Sequence, residues 1–130
     1  FVENACAAYE RIVDAMARDA LKPVEHLLPN EPRLDFAGFL AARRIRGEAA
    51  SLTFIGFRAA ELLDSGVEGQ TAWADMRFAT DLVSVLRDRE GNIVEGDPRR
   101  IKHCAERWTF ERDLRQRAPR WLLAATDTDG

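Results

Sequence analysis

Two side chains of this sequence could together carry out acid–base chemistry in an apolar site. Tyr9 lies on the apolar side of an N-terminal helical pattern, and Glu106 is the one carboxylate in phase with Trp108 in a strand-like segment. A carboxylate and a phenol that face each other across an apolar cavity could serve as general base and general acid. A buried tyrosine also commonly does no more than hydrogen-bond to a polar neighbour. The sequence leaves both interpretations open and favours the second, so we expect no catalytic residues.

The cysteines and histidines do not form a metal-binding pattern. His103 and Cys104 are adjacent and would point to opposite faces of a strand, while Cys6 and His26 have no ligand spacing to any other residue. The acidic loop at 88–97 lacks the alternating ligands and closing glutamate of a calcium loop. The sequence contains no glycine-rich phosphate loop and no nucleophile elbow. We therefore expect neither a metal nor a cofactor.

Aromatic residues alternate with charged residues in the segment ERWTFERDLRQRAPRWLLAAT, at 106–126. A nucleic-acid surface would place its rings and its cations on the same face. Here Trp108 and Phe110 share one face of a predicted strand, and most of the charged side chains take the other face. The rings are therefore predicted to belong to the core. The inward position of the rings and the formal net charge of −3 both argue against nucleic acid as a ligand.

Three arginines near the turn after this strand have no obvious partner in the sequence, and we call them the arginine patch: Arg115, Arg117 and Arg120. Each cation close to an anionic surface contributes ~1 kcal/mol of attraction at low salt. We expect the patch to face an anionic membrane surface and to hold the domain only weakly. Stable attachment would need an apolar helix face or an anchor in addition.

The elements that position these residues are predicted to be helices first and strands afterwards. Apolar residues recur every three or four positions in the first twenty residues, a short helix follows at 23–28, and a third helix begins after 29–32 and ends near Gly47. From residue 50 the period changes to two. Strands are predicted at 51–63 and 71–87 with a turn at 64–70, then a short return strand at Ile93–Val94, and strands at 104–114 and 121–126.

This order predicts a single α+β domain over residues 1–130, with helices at 1–47 packed on a curved antiparallel four-stranded sheet at 50–127. A helix that lies across a bent sheet tends to form a cone with an apolar mouth, where ligand pockets are common. Nine inward-phased side chains are expected to line that cone, although each could equally fill a solid core: Tyr9, Ile12, Met16, Phe36, Phe39, Met76, Phe78, Trp108 and Phe110.

The composition fits one globular domain, since 130 residues with 46% hydrophobic and 32% charged content can bury a sizeable core. No apolar run approaches the ~18 residues that a membrane-spanning helix requires. The chain begins with Phe1 inside a helical pattern. We therefore expect it to be a fragment of a longer chain.

Three C-terminal motifs carry a resemblance to a known family: VEGDP at Val94–Pro98, WTFERD at Trp108–Asp113 and WLLAAT at Trp121–Thr126. The segments at 8–28 and 54–63 match the same family's first helices and first strand. The sequence resembles the Tim44-like domain, the C-terminal domain of the mitochondrial inner-membrane scaffold that tethers the import motor, and in composition a bacterial relative of it. It departs from the family pattern in three places, and the departure at 73–88 bears on the pocket wall.

The resemblance implies an α+β cone of the nuclear-transport-factor-like superfamily. It further implies a non-catalytic adaptor at an inner membrane, on the cytoplasmic or matrix side, peripheral or held by a missing N-terminal anchor. Its implied partners are an anionic membrane surface and a protein of the translocation or assembly machinery, with lipid or a partner segment in the apolar pocket. The alternative is a pocket enzyme of the same superfamily acting on a small apolar substrate.

Overall fold

The computed structural model describes residues 1–117 and 120–128, in which helices precede strands as the sequence predicts. Helix α1 is Val2–Ala17, a short 3-10 helix is Lys22–Leu27, and helix α2 is Asn30–Ile45. The strands are β1 (Ala49–Glu68), β2 (Thr71–Arg87), β3 (Ile93–Gly96), β4 (Lys102–Asp113) and β5 (Leu122–Thr128).

The strands form one antiparallel sheet in the order β1-β2-β4-β5, with the short β3 paired to the end of β2. The predicted α+β arrangement with its curved antiparallel sheet is confirmed. The return strand predicted at Ile93–Val94 is present as β3, so the sheet has five strands rather than four. β1 and β5 are the edge strands of this order.

The predicted turn at 64–70 is wrong, because β1 continues to Glu68 and the chain reverses at Gly69 and Gln70. Three register shifts interrupt the pairing of β1 with β2, and the last lies between Leu62 and Asp64. Each shift is a bulge that breaks the alternation of inward and outward side chains. The alternation of inward and outward residues in the sequence therefore stops before β1 itself ends.

The core lies between α1 and the concave face of the sheet. Tyr9 and Ile12 of α1 are buried, and the Tyr9 ring lies 4.6 Å from the ring centres of both Phe78 and Trp108. Trp108 is only 3% exposed and Phe110 only 2%. The predicted inward orientation of these two rings is confirmed, so neither ring is on the surface to stack with a base.

Within residues 1–117 and 120–128, no helix has both the length and the apolar character that crossing a membrane requires.

Candidate functional site

A cavity of about 330 Å³ lies between the two helices and the concave face of the sheet, and we call it the cone cavity. Its inner wall is mostly apolar, and its outer end carries cationic and hydroxyl side chains. It is lined by Tyr9, Ile12, Val13, Met16, Ala17, Phe36, Arg43, Ala50, Leu52, Leu82, Ser84, Lys102, Cys104, Glu106, Trp108 and Thr126. Its volume is at the lower end of the range of small-molecule sites.

The structure places the nine side chains expected at the cone in three different environments. Tyr9, Ile12, Met16, Phe36 and Trp108 line the cone cavity. The other four do not: Met76, Phe78 and Phe110 are fully buried in the core, and Phe39 is 56% exposed beside a neighbouring cavity.

The placement of Phe39 follows from helix geometry. Leu40, which is 1% exposed, takes the inward position of α2, four residues after Phe36. Adjacent residues of an α-helix are rotated by about 100°, so Phe39 is turned away from the cavity.

A hydrogen-bonded group of four side chains closes the inner end of the cone cavity. The Tyr9 hydroxyl donates to Glu106 Oε1 at 2.9 Å and lies 3.0 Å from the Thr80 hydroxyl oxygen, and the indole Nε1 of Trp108 donates to Glu106 Oε2 at 2.8 Å. Because the phenol gives its single proton to Glu106, it accepts from Thr80. Both carboxylate oxygens of Glu106 are therefore held by donors from the core.

Burial changes the acidity of two groups in this wall. Burial raises the pKa of Tyr9 well above its ordinary value near 10, and the negative charge of Glu106 raises it further, against the opposing effect of the Thr80 hydroxyl. Burial likewise raises the pKa of the Cys104 thiol. Tyr9 thus stays a neutral donor and Cys104 stays a protonated thiol near neutral pH, so neither is activated as a base or nucleophile.

The outer end of the cone cavity is cationic. Arg43 is 6% exposed, and its Nη2 donates to the main-chain oxygens of Met16 at 2.8 Å and Ala17 at 3.3 Å, which caps the end of α1. The side chain of Lys102 is exposed and makes no hydrogen bond or ion pair with any residue that the structure describes. The neighbouring cavity, of about 420 Å³, shares both residues at this mouth of the cone and adds Glu95 and Arg46, the latter paired with Glu48 at 2.8 Å.

Sequence reasoning did not find the mouth residues, although part of the signal was available. Lys102, Cys104, Glu106 and Trp108 all occupy even positions of one strand, and the alternation that placed Trp108 inward also places Lys102 there. For Arg43 no such signal existed, since its contact with the end of α1 depends on how the two helices meet.

The arginine patch differs from the prediction in one member. Arg115 has a partner, because its Nε and Nη2 bond to the two carboxylate oxygens of Asp113 at 3.0 and 3.1 Å. This pair forms because the turn after β4 folds Arg115 back on the end of the strand. Arg117 and Arg120 are exposed, and the residues between them lie outside the described part of the chain.

No group of histidine, cysteine, aspartate or glutamate side chains within residues 1–117 and 120–128 could hold a metal ion.

Comparison with known proteins identifies one family and one fold. The Tim44-like domain family matches residues 1–128. No curated protein sequence matches the chain. Among solved structures, the crystal structure of the intermembrane space region of the chloroplast protein ARC6 is similar, with a TM-score of 0.63 and 15% sequence identity, over 97% of this chain and 92% of that one. At this identity the likeness concerns the fold alone.

Proposed function

The chain belongs to the Tim44-like domain family, and on that premise we propose that it is an adaptor domain that docks on an anionic inner-membrane surface and holds a lipid acyl chain in the cone cavity. The Tim44-like domain is an α+β cone of the nuclear-transport-factor-like superfamily. Members of the family are membrane-associated, scaffold-type proteins rather than enzymes. The proposed side is cytoplasmic or matrix, and the proposed partner is a protein of the translocation or assembly machinery.

The single observation that carries this proposal is the combination of an apolar cone with a cationic mouth. An acyl chain gains free energy from each methylene removed from water, about 0.8 kcal/mol, and the walls supplied by Ile12, Met16 and Phe36 offer that environment. An anionic headgroup would then lie beside the unpaired Lys102, with the charge of Arg43 behind it. A ligand that is apolar at one end and negatively charged at the other fits both features.

The hydrogen bonds at the inner end favour a binding role over catalysis. A general base needs a lone pair free to reach a substrate proton. Both oxygens of Glu106 already accept from Tyr9 and Trp108, and the phenol of Tyr9 is held in its neutral form. These contacts fix the cavity wall. The pocket-enzyme alternative would require Glu106 to take a substrate proton on a lone pair that neither Tyr9 nor Trp108 occupies.

Co-sedimentation with vesicles tests the orientation of docking. We expect binding to vesicles that contain anionic lipid at low salt, and a loss of about 2 kcal/mol, roughly thirty-fold, in Lys102→Glu, because the substitution replaces one attraction by one repulsion. Lys22→Glu is the matched control, since Lys22 is exposed on the 3-10 helix and does not line the cone cavity. Equal losses in the two variants would contradict docking through the mouth.

A further inference from the structure

A second groove lies on the concave face of the sheet, at the end opposite to Lys102. It has a volume of about 570 Å³, and its walls include Phe1, Leu62, Val67, Trp73 and Trp121, with Arg112 among them; we call it the Arg112 groove. Arg112 and Lys102 are ten residues apart on β4, which corresponds to about 33 Å along the strand. The groove is therefore separate from the cone cavity.

The guanidinium of Arg112 is the unusual group in this groove. Its Nε is buried, and among the side-chain nitrogen and oxygen atoms of the described residues it is the one buried atom without a hydrogen-bond partner. No ion pair to Arg112 is formed by residues 1–117 or 120–128. Leaving a buried donor unsatisfied costs about 1–3 kcal/mol, and more for a charged group. Asn4 and Ser65 also line the groove, but among the described residues no acceptor forms a hydrogen bond with this nitrogen.

Two features indicate what kind of molecule would satisfy this group. A carboxylate can accept side-on from the Nε and one Nη of a guanidinium, and that planar pairing would satisfy the covered Nε once the Arg112 side chain turns into the groove. Leu62 and Val67, 47% and 62% exposed, line the same groove and offer apolar contact to groups next to such a pair. The groove thus suits one carboxylate with apolar neighbours.

The charges around the groove favour a peptide over a lipid. Asp64 and Glu68 lie on the adjoining part of β1, and neither forms an ion pair within the described part of the chain. They would repel an anionic membrane surface but not a polypeptide with basic residues outside the groove. The outer edge of β1 also pairs with no described strand, so its backbone groups are free to hydrogen-bond to an extended segment.

We propose that the Arg112 groove binds a short segment of a partner protein, in which one carboxylate flanked by apolar side chains bonds to the guanidinium of Arg112. This proposal depends on the proposed adaptor role, because it requires a protein partner, but it does not depend on lipid binding. The membrane-facing mouth and the partner groove would lie at opposite ends of β4, which allows both to be occupied together.

Selection of short random peptides displayed on phage tests this proposal. On the wild-type domain we expect enrichment of peptides with one Glu or Asp between apolar residues, and replacing that acid by its amide should weaken binding about ten- to hundred-fold. Arg112→Met should abolish the enrichment. Arg107→Met is the matched control, because Arg107 is an exposed arginine of the same strand outside the groove, and it should leave the enrichment intact.

Two further measurements on Arg112→Met, its thermal unfolding and its vesicle binding, distinguish this proposal from its alternatives. Arg112→Met should unfold at the same or a higher temperature than the wild type, since it removes an unsatisfied buried donor, and it should bind anionic vesicles as the wild type does. Enrichment of the same peptides on Arg112→Met, or none on the wild type, would overturn the proposal. A loss of vesicle binding in Arg112→Met would also overturn it, because the groove would then bind a lipid headgroup. Self-association of the wild type that Arg112→Met abolishes would overturn it as well, because the groove would then bind a second copy of the chain.

Discussion

At the scale of the residue, the Tyr9 hydroxyl joins the first helix to two strands of the sheet. It bonds to Thr80 on β2 and to Glu106 on β4, and its ring packs between Phe78 and Trp108. The helical and strand periods in the sequence were enough to place Tyr9 and Trp108 inward, but they offered Tyr9 and Glu106 as a pair only in the acid–base interpretation that the sequence did not favour. They could not give Thr80 as the third partner, because that contact depends on the register between β2 and β4.

Removing the hydroxyl should weaken the fold measurably. Tyr9→Phe keeps the ring but leaves Glu106 without one donor and the buried Thr80 without its acceptor. Hydrogen bonds to a charged group contribute about 1.5–3 kcal/mol, so we expect the free energy of unfolding in urea to fall by roughly 2 kcal/mol. A free energy within measurement error of the wild type would contradict the assigned network.

The raised pKa of Tyr9 predicts a pH dependence of stability. Above the ordinary value near 10, tyrosine in the unfolded chain loses its proton while the folded chain retains it, so stability falls as pH rises, by up to ~1.4 kcal/mol per unit. Below pH 10 this contribution is constant. Tyr9 is the only tyrosine, so tyrosinate absorbance should appear together with unfolding rather than before it. Its appearance in the folded protein near pH 10 would contradict this account, and Tyr9→Phe should lack the extra fall in stability.

At the scale of the element, the sequence predicted the kind and order of every helix and strand better than their ends. Asp64, Ser65 and Gly66 are residues typical of turns, yet they lie within β1. Their place is decided by pairing with Ala74 and its neighbours across the hairpin, after a bulge has shifted the register. Local composition cannot report a bulge, which is why the predicted turn falls several residues too early.

The short strand β3 depends on one glycine. Gly96 has φ +86 and pairs with Val85, and a Cβ there would overlap the main-chain oxygen of Ser84. We expect Gly96→Ala to lower the free energy of unfolding by about 1–3 kcal/mol, since both the backbone conformation and the strand contact are lost.

Gly38→Ala is the matched control for this substitution. Gly38 lies on the exposed side of α2 with no atom within 4 Å of the added methyl group, so alanine should stabilise the helix by about 1 kcal/mol. Urea unfolding of the two variants should therefore give changes of opposite sign. Changes of the same sign would contradict the packing of β3 against β2.

At the scale of the whole molecule, the two ends of the sheet have different chemistry. The end with Lys102 and Arg43 opens into an apolar cone, whereas the end with Arg112 adjoins an acidic part of β1. The sequence could predict that a cone exists, because helices and a curved sheet were visible in its periods. It could not predict which cations remain unpaired, since pairs such as Arg115 with Asp113 form only when turns bring residues together.

The arginine patch follows β4 at the end with Arg112, whereas docking is proposed through Lys102 at the other end. Replacing Arg117 and Arg120 together by alanine should therefore weaken vesicle binding at low salt by less than Lys102→Glu does. Sedimentation with anionic vesicles at two salt concentrations measures both variants. A larger loss in the double variant would assign the membrane contact to the arginine patch.

The central claim is that a lipid acyl chain enters the cone cavity, and Trp108 can report on it directly. With Trp73 and Trp121 replaced by phenylalanine, Trp108 is the only remaining tryptophan, and its ring lines the cavity while only 3% of it is exposed. Anionic vesicles with brominated acyl chains should quench its fluorescence, and vesicles with unbrominated chains should not. Binding of the protein to brominated vesicles with Trp108 fluorescence unchanged would contradict the claim.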